Sequence, residues 1–144
     1  MTTSSDATVR QWDAATGEQA EAPYDRHSGE VMCAAYSPDG QWVASAGTDR
    51  TVRVWRATGR QDAAVLHGHT GAVYEVAFAP DGRRLASLSP VWESIAGDGT
   101  VRVWDVDPLA TLPVLHGHDN YVYPVAFSTV RSVPAEATHC PSGL

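Results

Sequence analysis

The sequence predicts an all-β fold built from repeated four-stranded antiparallel sheets. Three observations carry that expectation. A six-residue block recurs as TVRQWD at 8–13, TVRVWR at 51–56 and TVRVWD at 100–105. Histidines in the related blocks RHSGEV, GHTGAV and GHDNYV, namely His27, His69 and His118, keep nearly the same spacing, 42 and then 49 residues. Between them SPDGQWVAS from Ser37 and APDGRRLAS from Ala79 are again 42 apart. Three separate markers on one period point to a structural unit used more than once.

Each strand can be justified in turn. Val31–Tyr36, Val73–Phe78 and Val122–Phe127 are short runs rich in β-formers, and the first two end at Pro-Asp-Gly. Proline presets φ for a tight turn and glycine accepts the positive φ that closes it. Second strands follow at Gln41–Ser45 and Arg83–Ser87, then a turn at Asp49-Arg50 or Asp98-Gly99, then third strands at Thr51–Trp55 and Thr100–Trp104. Period-two alternation sends Val52 and Val54 to one face of the third strand and Arg53 and Trp55 to the other. Ala64–Leu66 and Leu112–Leu115 supply fourth strands. We label the four positions a to d; antiparallel order then places the d-to-a and b-to-c connections on one rim, and the a-to-b and c-to-d turns on the other.

With GH and WD signatures on that period, residues 5 to about 128 resemble the WD-repeat β-propeller family. The resemblance implies about two complete blades, 28–67 and 70–115, partial blades at 5–27 and 118–128, an incomplete ring, and an irregular or degraded tail at 129–144. It also implies a role for the recurring polar residues. His27, Ser45, Asp49 and Trp55 in one blade, and His69, Ser87, Asp98 and Trp104 in the next, would form buried hydrogen-bonded tetrads, with partial sets at Asp6, Trp12 and His118. Blade one departs from the pattern, since Arg26 stands where glycine is usual before His27 and Asp25 where an apolar residue would end strand d. Arg56 likewise replaces the aspartate that follows tryptophan at Asp13 and Asp105.

The same residue types invite sharper readings, which the sequence disfavours. A Ser-His-Asp hydrolase requires an exposed nucleophile and an oxyanion hole, and no GxSxG elbow accompanies Ser45 or Ser87. His67-Gly68-His69 and His116-Gly117-His118 resemble metal pairs but lack an evident third ligand. Neither GxxxxGK[ST] nor GxGxxG occurs, so no phosphate cradle is predicted. Cys33 and Cys140 are far apart and form no CxxC, which indicates neither a disulfide framework nor a cysteine zinc site. The expectation is a protein without cofactor and without catalysis.

Charge and composition narrow the partners. Ten basic against 17 acidic residues give a net charge of −7, which repels a phosphate backbone and an anionic membrane surface. The N-terminus lacks the basic and apolar regions of a signal peptide, and no apolar run reaches the ~18 residues of a membrane span, so a cytoplasmic address is expected. All ten basic residues are arginine, as a GC-rich, bacterial genome would favour. The second repeat carries seven extra residues around Pro90–Gly97, which places Trp92 and Glu93 on the rim of the GH loops, beside Thr70, Tyr74, Asp119, Asn120 and Tyr121. Exposed aromatics at such a rim suit a protein or peptide partner. The expected function is a non-catalytic interaction scaffold that forms part of a larger propeller. The alternatives are a truncated, non-functional remnant, or half of a homodimeric six-bladed ring.

Overall fold

The computed structural model describes residues 1–59, 62–91, 97–106, 109–115 and 125–127, with backbone only at 62–63 and 109–113. β3 (Val31–Tyr36), β4 (Trp42–Gly47), β5 (Val52–Arg56) and β6 (Asp62–Leu66) form one antiparallel meander in the order β3-β4-β5-β6. A second meander repeats it with β7 (Glu75–Phe78), β8 (Arg84–Ser89), β9 (Thr100–Val106) and β10 (Leu109–Leu115). Among the described residues there is no helix, hence none long and apolar enough to cross a membrane.

Ahead of these two blades lies a smaller sheet, β1 (Thr2–Thr3) paired with β2 (Val9–Arg10), which an isolated bridge extends to Tyr24. The partial blade expected at 5–27 is preceded by β1, which supplies a second-strand position ahead of the turn bearing Asp6, while Trp12 lies beyond the end of β2 in an isolated bridge to Gln19. The strand that the sequence begins at Val73 begins at Glu75, while Val73 and Tyr74 donate to Gly47 and Leu88 carbonyls in the approach to it. Both Pro-Asp-Gly turns close as anticipated, with Gly40 donating to Ser37 and Gly82 to Ala79, each at 2.9 Å. Of the expected partial blade at 118–128, only 125–127 is described, and the tail at 129–144 lies outside the described residues.

The apolar core lies between blades rather than within them. Ala44, Ala46, Val52, Val54 and Leu66 on the far face of the first complete blade pack against Val73, Val76, Leu85 and Trp104 of the second. Val9 and Tyr24 of the small sheet pack against Val31, Val43, Trp55 and Ala57. Leu88 and Val101, on the far face of the second blade, receive Val125. Thus β5 is buried on both sides, Val52 and Val54 facing one neighbour and Trp55 the other, as the alternation predicts. Fully burying a side chain of this size contributes about 1.5–3 kcal/mol, and these side chains are buried at blade-to-blade contacts. The blades are held by their neighbours.

Candidate functional site

The recurring polar residues meet where the loop before strand a of one blade crosses that blade's b-to-c turn. In the second complete blade, His69 Nδ1 lies 2.9 Å from Asp98 Oδ2, and Nε2 lies 2.8 Å from Ser87 Oγ. Trp104 Nε1 donates to the same Ser87 Oγ at 2.8 Å. One assignment of protons satisfies all of these contacts: indole N–H to serine oxygen, serine O–H to Nε2, and Nδ1–H to carboxylate. Asp98 also accepts from the Thr70 amide at 2.8 Å and from the Thr100 amide and hydroxyl at 3.0 and 2.6 Å.

In the first complete blade the core of the network is the same. His27 Nδ1 is 2.9 Å from Asp49 Oδ2, and Nε2 is 2.6 Å from Ser45 Oγ. Asp49 accepts from the Ser28 amide and from the Thr51 amide and hydroxyl. The fourth member is missing from this set: Trp55 is fully buried and stacked on Tyr24, and its Nε1 has no hydrogen-bond partner among the described residues. Hydrogen bonds thus bring together His69, Ser87, Asp98 and Trp104 in the second complete blade, and His27, Ser45 and Asp49 without Trp55 in the first.

The small N-terminal sheet holds part of the same pattern. Trp12 Nε1 donates to Thr2 Oγ1 at 2.9 Å, and Asp6 Oδ1 accepts from the Thr8 amide at 3.0 Å and the Thr8 hydroxyl at 2.5 Å. Thr2 was missed by sequence reasoning because it is threonine, not serine. Its signal was present, since it precedes Thr8 by six positions as Ser45 precedes Thr51. Thr51, Thr100, Tyr24 and Ser89 were also missed. His118 lies outside the described residues.

Burial governs the protonation of the network. Desolvation lowers the pKa of His69 below its ordinary value, more than Asp98 raises it, so the imidazole is neutral at pH 7. For Asp98 burial works upward, but the Thr100 hydroxyl, the Thr70 amide and His69 outweigh it and hold the carboxyl below the ordinary range. Asp49 is lowered in the same way, its burial overcome by the Thr51 hydroxyl, the Ser28 amide and His27. Asp, His and Ser thus stand in the order of a hydrolytic triad, yet Ser45 and Ser87 are both fully buried. Ser87 spends its hydrogen on His69 and accepts from Trp104. A nucleophile must reach its substrate, and this oxygen does not reach the surface. Both ring nitrogens of His27 and of His69 are engaged, and among the described residues no group of three or more His, Cys, Asp or Glu could hold a metal ion.

Above the networks is the rim. Thr70 is exposed, and Tyr74 is half-buried with its hydroxyl pKa raised, by burial first and by Glu30 second. The inserted loop leaves β8 at Ser89, whose Oγ donates to the Ala72 carbonyl at 2.7 Å and accepts from the Asp98 amide at 3.0 Å. In the first blade Gly47 occupies the Ser89 position, and the Thr48 amide reaches the Glu30 carbonyl directly. The residue after Ser89 is Pro90, which has no N–H, so the Ser89 hydroxyl stands in for the backbone bond that Thr48 makes. The turn recloses with Gly99 donating to Ser89 at 2.8 Å, as Arg50 donates to Gly47 at 3.2 Å. Trp92, Glu93, Asp119, Asn120 and Tyr121 lie outside the described residues.

Stacked four-stranded meanders, each with a buried Asp-His-Ser network and joined by apolar contacts, define a repeat protein of the β-propeller class. Residues 19–56 and 60–105 match the family model WD40, "WD domain, G-beta repeat", and the chain belongs to that family. It is 39% identical over 51 residues to the serine-threonine kinase receptor-associated protein of Gallus gallus, covering 35% of this chain and 14% of that one. It is 52% identical over 29 residues to an uncharacterized WD repeat-containing protein of Schizosaccharomyces pombe, covering 20% of this chain and 3% of that one. Among solved structures, U3-55K matches with a TM-score of 0.72 and 28% identity over 81% of this chain and 35% of its own. The RRP9 WD40 repeats match with the same TM-score and identity over 34% of that chain. The chain thus spans about a third of these solved chains and a small part of the curated relatives. WD40 propellers are in general non-catalytic scaffolds that mediate protein interactions.

Proposed function

We propose that this chain is a non-catalytic protein-interaction scaffold, contributing blades to a larger propeller and engaging a protein or peptide through the rim that carries Thr70, Tyr74 and the inserted loop with Trp92 and Glu93. The observation that carries the reading is the division of labour among the polar residues. The recurring His, Ser and Asp are consumed inside the blades, where they satisfy one another, and the Ser89 hydroxyl anchors both feet of a loop that the other complete blade lacks. A rigid β framework that presents one enlarged loop is an arrangement for binding. Net charge of −7 directs the choice toward protein rather than nucleic acid, and the reading includes no cofactor and a cytoplasmic address.

A photo-crosslinking residue tests it. Placed at Thr70 in the producing cell, it should yield a discrete protein adduct that is weakened by Tyr74→Ala at unchanged melting temperature. The same residue at Asp39, on the opposite rim, should yield none. Equal labelling at the two rims, or an adduct that is nucleic acid, would overturn the assignment.

A further inference from the structure

The loops that lead into the two complete blades differ by one charge. Glu30 precedes Val31 as Ala72 precedes Val73, so the first blade carries a carboxylate where the second carries a methyl group. Glu30 is exposed, and among the described residues it forms no ion pair. Neighbouring acids on the same rim are already engaged, Asp6 with Arg10, Asp49 with His27 and Asp98 with His69. Arg50, exposed in the b-to-c turn of the first complete blade, makes no ion pair with Glu30.

The backbone brings Tyr74 to this carboxylate. The Glu30 carbonyl accepts from the Thr48 amide at 2.9 Å, and the Gly47 carbonyl accepts from the Val73 amide at 3.1 Å, so the approaches to both first strands meet over one turn. They meet closely because Gly47 has no side chain: a Cβ there would lie 2.9 Å from both the Glu30 carbonyl oxygen and His27 Nδ1. The charge of Glu30 accordingly reaches Tyr74, where it adds to burial in raising the hydroxyl pKa. Met32, two residues beyond Glu30 and at the repeat position of Tyr74, is 36% exposed. A carboxylate, a phenol ring and a thioether therefore share one crossing on the rim.

We propose that this crossing takes an arginine or lysine side chain of a protein partner, its cationic head on the Glu30 carboxylate and its aliphatic stem along Tyr74 and Met32. The proposal rests on the rim assigned above as the binding surface and adds the class of residue that the rim selects. Each part of such a side chain meets what suits it: an opposite charge, a ring face that attracts cations, and apolar surface for the methylenes. The net charge of −7 steers a basic segment toward the chain and an acidic one away from it. The second complete blade offers no equivalent, since Ala72 replaces Glu30 and its carbonyl is taken by the Ser89 hydroxyl.

Selection of random phage-displayed peptides on the 144-residue chain tests the partner class. Peptides retained by wild type and lost on Tyr74→Ala should be enriched in arginine or lysine. Remade as labelled probes, they should bind Glu30→Gln about two- to fivefold more weakly by fluorescence anisotropy, a loss that shrinks with added salt. Glu30→Lys should turn the selected composition from basic to acidic. Glu18→Lys makes the same change in net charge at an exposed position of the opposite rim, and should leave the basic preference in place. Peptides that depend on Tyr74 but lack basic residues, or basic peptides that bind Glu30→Lys as well as wild type, would overturn the partner class and leave the rim standing. So would a preference that Glu18→Lys abolishes equally, since that pattern belongs to net charge. A selection that yields no peptide dependent on Tyr74 would remove the rim itself, and this proposal with it.

Discussion

The two complete blades carry the same Asp-His-Ser core and differ in how they use the tryptophan. In the second blade Trp104 donates to Ser87 at 2.8 Å. In the first, Trp55 is buried as deeply, with no partner for its N–H among the described residues, and stacks on Tyr24 at 3.8 Å with ring planes 3° apart. The loops that cross above the two indoles also differ. Gly68 packs on the second network so closely that a Cβ there would lie 2.8 Å from Arg102 Nη1 and 3.3 Å from Trp104 Cη2. Arg26 stands at the corresponding place before His27, and Tyr24 replaces the leucine found at Leu66. An unpaired buried N–H costs about 1–3 kcal/mol, and a ring stack contributes about 0.5–1.5 kcal/mol in the opposite direction. The comparison separates two contributions of one residue type: its hydrogen bond, made in one blade, and its packing, made in both.

The largest effect should come from removing the packing. Trp55→Ala and Trp104→Ala should each destabilise by roughly 3–5 kcal/mol in urea unfolding followed by circular dichroism, as large-to-small changes in a core do. Tolerance of either would detach that indole from the blade interface. Phenylalanine then isolates the hydrogen bond. Trp104→Phe strips Ser87 of its donor, whereas Trp55→Phe deletes an N–H that has no partner, so the first should cost more by about 1–2 kcal/mol. Equal costs for the two would mean that the bond to Ser87 contributes nothing net.

Acid sharpens the comparison from another side. Burial depresses the pKa of His69, so below the ordinary value of 6.5 the unfolded chain binds a proton that the folded chain resists. Stability is fully present above that value and falls as pH drops beneath it, by up to about 1.4 kcal/mol per pH unit for one proton, until the folded histidine itself titrates. A further loss follows below 3.8, where Asp49 and Asp98, both lowered in the fold, take up protons in the unfolded chain first. Urea midpoints between pH 7.5 and 5 should therefore decline, and His69→Gln should remove its share of the slope. A flat or rising profile would contradict the buried, neutral imidazole.

Much of this was legible because it repeats. The strands and their alternation followed from residues that recur at similar spacings, the Pro-Asp-Gly turns from elementary φ preferences, and the His, Ser and Asp of the two networks from what the family resemblance implies. What escaped was whatever breaks the repeat. Thr2 does the work of a serine under a different name, so a search for serine passes over it. Tyr24 lies where the blade-one pattern already looked imperfect at Asp25 and Arg26, and nothing in the sequence says that an aromatic there stacks on a tryptophan 31 positions later. Ser89 follows the expected Ser87 by two positions, and its bridging role exists only because of the insertion beyond it.

The smallest effect concerns the turns between strands b and c, where the blades again solve one problem in two ways. Both blades turn back through a residue of positive φ, Arg50 at 67° and Gly99 at 72°, and both donate that residue's amide to the carbonyl that ends strand b. An arginine in the left-handed region carries a Cβ penalty of about 1–2 kcal/mol that glycine avoids. Glycine returns part of that gain as unfolded-chain entropy, about 0.4–1 kcal/mol. Arg50→Gly should therefore raise stability by about 0.5–1 kcal/mol, and Gly99→Arg should lower it by a similar amount, read as opposite shifts of the thermal midpoint. The pair forms a control on the whole comparison. Shifts of equal size and opposite sign would show that the two turns share one backbone despite the seven-residue insertion beside Gly99. A much larger loss at Gly99 would show that the inserted loop, held at both feet by the Ser89 hydroxyl, leaves no room for a side chain where the shorter turn accepts one.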